Sequence, residues 1–112
     1  MLTGQVAIVS GGLGDIGRAI ALELARKGAD IAVGDVLEES RAEELLGAIR
    51  QTGRKARYDR ADVSDVNAVR AWVENTRRDL GLPTLIVPNA AVVTLKSIRE
   101  VTPEEYEPGP PR

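Results

Sequence analysis

The sequence predicts an α/β domain: a parallel sheet of about four strands, in the order 3-2-1-4, with helices on both faces as a three-layer sandwich. Three observations carry this reading. Short apolar runs alternate with segments of helical periodicity, glycines stand where the helices should stop, and the first strand-to-helix junction, SGGLGDIG at Ser10–Gly17, is dense in glycine. Strands that alternate with helices call for right-handed crossovers and parallel pairing.

The elements follow in order. Gln5–Ser10 is a short apolar run rich in β-branched residues and reads as a buried strand. Ile16–Lys27 reads as a helix with Ile16, Ala19, Ile20 and Leu24 on its apolar face and Lys27-Gly28 as its stop. Asp30–Asp35 (DIAVGD) is a second strand, and Glu39–Gln51 a second helix with Ala42, Leu45, Leu46 and Ile49 at helical spacing, ended by Gly53. Lys55–Tyr58 is a third, weaker strand. Asp65–Leu80 repeats Val66, Val69, Val73, Thr76 and Leu80 at steps of three and four, with Ser64 as the expected N-cap and Gly81 as the C-cap. Thr84–Val87 is a fourth strand, and Thr102-Pro103 is a favourable start for a short last helix. Residues 1–106 are thus expected to form the domain, and 107–112 an irregular Pro/Gly-rich tail.

Composition narrows the chemistry. The 112 residues fit one domain, and 43% hydrophobic content supplies a core. That core must be aliphatic, since Tyr58, Trp72 and Tyr106 are the only aromatics. The absence of cysteine excludes disulfides, thiol catalysis and Cys-ligated zinc, and the absence of histidine removes imidazole acid–base chemistry. A net charge of −2, with the two signs interspersed, argues against nucleic acid or an anionic membrane as partner. The N-terminus lacks the basic region of a signal peptide, and no run approaches the ~20 apolar residues of a membrane helix, so a cytoplasmic location is expected.

The glycine loop carries the functional signal. Gly11 and Gly12 let the chain turn sharply off the first strand. Gly14 and Gly17 remove side chains where a backbone must approach a pyrophosphate and where a helix packs on a strand. The helix opening at Asp15 or Ile16 directs free N–H groups and its positive end toward that pyrophosphate. Asp35 then ends the second strand at the distance where a ribose-binding acid is expected. A carboxylate there accepts hydrogen bonds from ribose hydroxyls and repels a 2′-phosphate, and the neighbouring Val36 adds no basic group. NAD is therefore favoured over NADP. The candidate loop residues are Ser10, Gly11, Leu13, Gly14, Asp15, Ile16 and Gly17, joined by Asp35 and Val36. Such a unit is a Rossmann-like half-domain.

On these residues the chain resembles the N-terminal, cofactor-binding part of a short-chain dehydrogenase/reductase, from residue 1 to about Tyr106. Ser10 stands for the Thr that opens the family's Thr-Gly-x-x-x-Gly-x-Gly pattern, Gly11 and Gly17 match it, and Asp15 departs from its middle glycine. The extended, epimerase-like branch fits Gly11, Gly14 and Gly17 better. ADVSD at 61–65, VPNAAV at 87–92 and TPEEY at 102–106 are similar to the short branch and decide for it. The resemblance implies that Asp62 and Val63 meet the adenine and that Asn89, Ala90 and Ala91 lie along the nicotinamide. Pro88 and Ala91 depart from the Asn and Gly of that last segment. Asp15 is read as a helix-capping acid, with tuning of cofactor affinity as the other reading.

The family's chemistry is hydride transfer between nicotinamide and an alcohol or carbonyl, with the proton moved through a Tyr-x-x-x-Lys pair and a Ser. Neither Tyr58 nor Tyr106 has a lysine four residues on, so no catalytic residue is assigned. By the resemblance, the family's catalytic groups would lie beyond this chain, which is expected to be catalytically incomplete, or a truncated product. A non-catalytic nucleotide- or protein-binding module remains the alternative. A small-molecule substrate would enter only with further chain, and an exposed edge at the fourth strand would favour self-association.

Overall fold

The computed structural model describes residues 1–89. The expected helix at 102–106 and the tail lie outside them, as do Ala90 and Ala91. Four strands, β1 (Val6–Ser10), β2 (Asp30–Asp35), β3 (Ala56–Arg60) and β4 (Leu85–Pro88), form a parallel sheet in the order β3-β2-β1-β4. The helices are α1 (Asp15–Arg26), α2 (Glu43–Gln51) and α3 (Val66–Asp79), with a 3₁₀ turn at Glu39–Ala42 leading into α2. The α/β class and the 3-2-1-4 order are as expected.

The pleat divides the core. Ala7, Val9, Ile31, Val33, Ala56 and Tyr58 pack with Ala21 and Ala25 of α1 and Leu45, Leu46 and Ile49 of α2. On the opposite face, Ile8 and Ala32 pack with Trp72 of α3 and with Ala61, which follows β3. The three layers follow, and β1 is buried along its whole length because both its neighbours and both its faces are covered.

Two helices present a different face from the one expected. In α1 the buried residues are Gly17, Ala21 and Ala25, while Ile16 is exposed. Small residues four apart form a smooth stripe that lets the helix lie close on the sheet, and the larger Leu22 and Leu24 pack from its flanks. In α3, Val66 and Val73 are exposed and Trp72 and Thr76 are buried. Trp72 decides the rotation. Its ring lies over Gly34, where a Cβ would come within 2.5 Å of Cη2 and Cζ2. The largest side chain of the helix thus sits where the sheet surface has none. Thr76 satisfies its buried hydroxyl by donating to the Trp72 carbonyl at 2.8 Å.

Boundaries also shift. Asp65, not Ser64, caps α3: its Oδ1 accepts from the N–H groups of Asn67 (2.9 Å) and Ala68 (3.2 Å). Ser64 instead donates to Asp62. Leu80 is the C-cap, and Gly81 follows it with φ of 118°. α1 stops as expected at Lys27-Gly28: Gly28, at φ 109°, donates to the Ala25 carbonyl and Ala29 to the Leu24 carbonyl, which is a Schellman closure. β3 extends two residues past Tyr58 because Asp59 and Arg60 pair with Gly34 and Asp35. Their charges are accommodated at the margin: Asp59 accepts from Arg57 (2.8 Å) and Asn75 (2.7 Å), and Arg57 also bonds Asp79, tying the edge strand to α3.

The tight Gly34–Trp72 contact generates a prediction. Gly34→Ala should lose about 1–3 kcal/mol through overpacking, read as a lower denaturant midpoint with a shifted Trp72 emission. An unchanged midpoint would show that the indole relocates without cost.

Candidate functional site: the glycine loop and the strand ends around it

The loop between β1 and α1 lies at the C-terminal edge of the sheet, at the point where the strand order reverses direction between β1 and β4. Gly11 takes φ of 64°, a left-handed value that a side chain would strain. Gly17 is held still more tightly: a Cβ would lie 2.2 Å from the Gly11 oxygen and 2.8 Å from the Gly12 Cα. The first turn of α1 therefore closes directly onto the loop.

Three contacts tie the loop to the strand ends. Gly12 N–H donates to the Gly34 carbonyl at 3.2 Å. Leu13 N–H donates to Asp35 Oδ2 at 3.1 Å, and the Leu13 side chain is buried in the core. Just after β4, the Asn89 amide donates to the Gly11 carbonyl at 3.5 Å, while the buried Ser10 hydroxyl donates to the Val87 carbonyl of β4 at 3.2 Å. Ser10, Gly11, Leu13, Gly17, Asp35 and Asn89 are thus brought together.

The helix terminus is open. Gly14 is the N-cap in extended conformation (φ −77°, ψ 168°), and no side chain caps α1. The first helical bond runs from Arg18 N–H to the Gly14 carbonyl at 2.8 Å, so the N–H groups of Asp15, Ile16 and Gly17 precede it. Gly14 is not required by its own backbone, since a Cβ there would sit 3.6 Å from the Gly11 oxygen, an ordinary contact. Asp15 does not cap the helix as the sequence suggested. It occupies the first helical position, exposed, and makes no hydrogen bond or ion pair among the described residues.

At the end of β2 both oxygens of the Asp35 carboxylate are held. Asp35 Oδ1 accepts from Val36 N–H at 2.7 Å while Oδ2 takes Leu13 N–H, leaving the remaining lone pairs of the carboxylate available. Val36 is exposed beside it. Asp62 lies beyond β3 and is exposed; its Oδ1 accepts from Ser64 N–H (2.9 Å) and Oγ (2.7 Å), and these bonds hold the carboxyl below the usual range. Val63 packs on the Trp72 cluster.

In the sequence Tyr58 closes the expected third strand and lacks a lysine partner. Its hydroxyl lies 2.5 Å from the Leu37 carbonyl and 3.1 Å from that of Asp35, the acid of the site. Burial, followed by the charge of Asp35, pushes its pKa up to about 12. A proton shuttle near neutral pH needs a shift in the opposite direction. The alternation Ala56/Tyr58 marks the side chain as inward-facing; the loop it meets depends on strand register and leaves no local sequence signal.

The strand order, the reversal beside β1 and the glycine-lined helix terminus define a dinucleotide-binding α/β unit. The family model for short chain dehydrogenase matches residues 5–108. Trihydroxynaphthalene reductase of Colletotrichum orbiculare is 35% identical over 106 residues, which cover 95% of this chain and 38% of the relative. A short-chain dehydrogenase/reductase of Serratia marcescens aligns with TM-score 0.76 and 35% identity, over 81% of this chain and 37% of that one. Carveol dehydrogenase of Mycobacterium avium, solved in complex with NAD, aligns with TM-score 0.76 and 28% identity, over 81% of this chain and 37% of that one. The chain belongs to the short-chain dehydrogenase/reductase family and represents its N-terminal dinucleotide-binding portion. It spans less than two fifths of the curated relative it matches. No helix among the described residues is long and apolar enough to cross a membrane.

The Tyr58 environment predicts a pH dependence. The folded-state pKa is raised from 10.0 to about 12, so the native state favours the neutral phenol. The resulting stability is complete below pH 10 and is lost as pH rises toward 12. Tyr58→Phe should show a smaller loss of thermal midpoint across that window than the wild type. Equal losses in the two proteins would refute the assignment.

Proposed function

We propose that this chain binds NAD(H), in preference to NADP(H), as the cofactor portion of an oxidoreductase that acts on an alcohol or carbonyl substrate. The observation that carries the reading is the Asp35 carboxylate, held by Leu13 and Val36 N–H beside the glycine loop with acceptor capacity to spare. Two ribose hydroxyls match that capacity, whereas a 2′-phosphate meets like charge. The residues fit the group in a second respect. The terminus of α1 is uncapped, and Gly14 leaves room above it that its own backbone does not need.

In this reading Gly11, Leu13, Gly14, Asp15, Ile16 and Gly17 hold the pyrophosphate through backbone groups, and Ser10 braces β1 against β4. Asp35 and Val36 hold the adenosine ribose, Asp62 and Val63 border the adenine, and Asn89 borders the nicotinamide side. The further roles given to Ala90 and Ala91 rest on the family resemblance. When bound, the nicotinamide supplies hydride exchange at its ring. This chain's residues orient the cofactor, and they carry no assigned proton donor. The solved complex of carveol dehydrogenase with NAD supports the same cofactor class. A cytoplasmic location is proposed on the same family grounds.

The test is a calorimetric titration with NADH and NADPH. NADH should bind more tightly, on the order of tenfold, and Asp35→Asn should narrow that difference. Tighter NADPH binding, or no binding of either, would overturn the reading. In the same assay Asp15→Gly should tighten NADH by about two- to fivefold, because an acid in the first turn opposes a bound pyrophosphate. Unchanged affinity would leave Asp15 without a role in tuning.

Association of copies through β4 is proposed as well. Val73, Leu82 and Ile86 are 38%, 69% and 74% exposed, and β4 is an edge among the described strands. Light scattering at micromolar concentration should report a species larger than the monomer, reduced by Ile86→Lys. A monomeric wild type would overturn this.

A further inference from the structure

The loop after β2 carries a feature that the site does not itself require. Its three successive carbonyls, those of Asp35, Val36 and Leu37, all meet donors from β3 or from Ala61, the residue after it. The Tyr58 hydroxyl lies 2.5 Å from Leu37 O and 3.1 Å from Asp35 O, and its single proton goes to the nearer Leu37 O; Asp35 O accepts Ala61 N–H at 2.8 Å, and Arg60 Nε donates to Val36 O at 2.9 Å. Tyr58 and Arg60 stand two apart on one strand, and both side chains reach the same loop, so one edge strand holds it from below.

The clamp reaches the carboxylate through the peptide plane. In a trans peptide the C=O and the following N–H point in opposite directions. Ala61 N–H holds the Asp35 carbonyl toward β3 and so turns Val36 N–H up, the group bonded to Asp35 Oδ1 at 2.7 Å; Arg60 and Tyr58, through the Val36 and Leu37 carbonyls, keep the next two peptides from rotating it away. The other oxygen is fixed by Leu13 of the glycine loop. Tyr58 and Arg60 act on one end of this arrangement and the glycine loop on the other. Arg60, paired with Asp35 in the strand register, also commits its Nε to Val36 O, which fixes a guanidinium on the strand beside the acid.

We infer that Tyr58 and Arg60 are positioning residues for cofactor choice. They hold the Asp35 carboxylate in the orientation that accepts ribose hydroxyls, and they tether the Arg60 guanidinium away from the role of phosphate partner. The inference rests on the reading of Asp35 as the ribose acid. With the clamp broken, the loop can turn the carboxylate aside, so NADH loses a directed acceptor while NADPH loses little or gains.

Tyr58→Phe keeps the buried ring and removes only the donor. Arg60→Gln changes an exposed side chain, and so leaves the core intact. Two measurements on the full chain separate the possibilities. In the cofactor-free protein, hydrogen exchange followed by NMR should quicken at the amides of Leu13 and Val36 in both variants. In calorimetry, Tyr58→Phe should weaken NADH by about three- to tenfold, the range of one hydrogen bond, with a smaller change for NADPH. Equal weakening of both dinucleotides would reduce Tyr58 to a structural role and overturn the inference. So would unaltered exchange at both amides. A wild-type chain that binds neither dinucleotide overturns the cofactor reading and the specificity role with it, and the exchange measurement then decides separately whether the clamp exists.

Discussion

The approach of Gly17 to the Gly11 carbonyl is the constraint on which the rest of the molecule depends. A side chain there would stand 2.2 Å from that oxygen, so only glycine lets the first turn of α1 seat on the loop. Ala21 and Ala25 continue the contact down the helix at the same spacing, and neither projects far enough to lift α1 from the sheet. The seated helix covers β1 and β2, and α2 completes that layer through Leu45, Leu46 and Ile49. With the helix axis fixed in this way, its uncapped N-terminus necessarily opens at the C-terminal edge of the sheet, beside the ends of β2 and β4.

The site is thereby built from backbone more than from side chains. Gly12, Leu13 and Val36 contribute N–H groups, Gly11 and Gly34 contribute carbonyls, and the side chains of Asp35 and Asn89 bond to the glycine loop itself. Backbone groups positioned by a rigid strand end need little reorganisation when a ligand arrives, which suits recognition of a phosphate by fixed dipoles. Asp35 is the exception that adds a charge. Its surroundings are correspondingly the most extensively hydrogen-bonded, with the glycine loop on one side and β3 on the other.

The opposite face obeys a different economy. One large indole over one bare strand position sets the rotation of α3, and an Arg57–Asp59–Asp79 network with Asn75 fastens the outer strand to it. Ion pairs of this partly exposed kind contribute modestly to stability. Their geometric effect is larger, because β3 carries Tyr58 and Arg60 and its placement sets where those donors meet the loop after β2. The packing of α3 and the order of the cofactor edge are connected through that strand.

Much of this was legible in the sequence for a simple reason: the order of strands and helices, the glycine loop and the acid at the end of β2 are written in local periodicity and in short spacings. Gly28 and Gly53 mark helix ends because a left-handed φ is a local demand, and Asp35 stands out because a strand end is a local feature. Which face each helix buries was not legible. Ile16 and Val73 look like core residues by periodicity, yet Gly17 and Trp72 take those places because the fit to a distant strand outweighs hydrophobicity when contact is this close. The capping of α3 by Asp65 rather than Ser64 turned on a single step in backbone direction. The meeting of Tyr58 with the carbonyls after Asp35, and of Asn89 with Gly11, required the strand register itself. Sequence alone determined what the elements are and where a dinucleotide loop begins. Tertiary structure alone decided which side chains steady that loop, because register and helix rotation are settled by contacts between residues far apart in the chain.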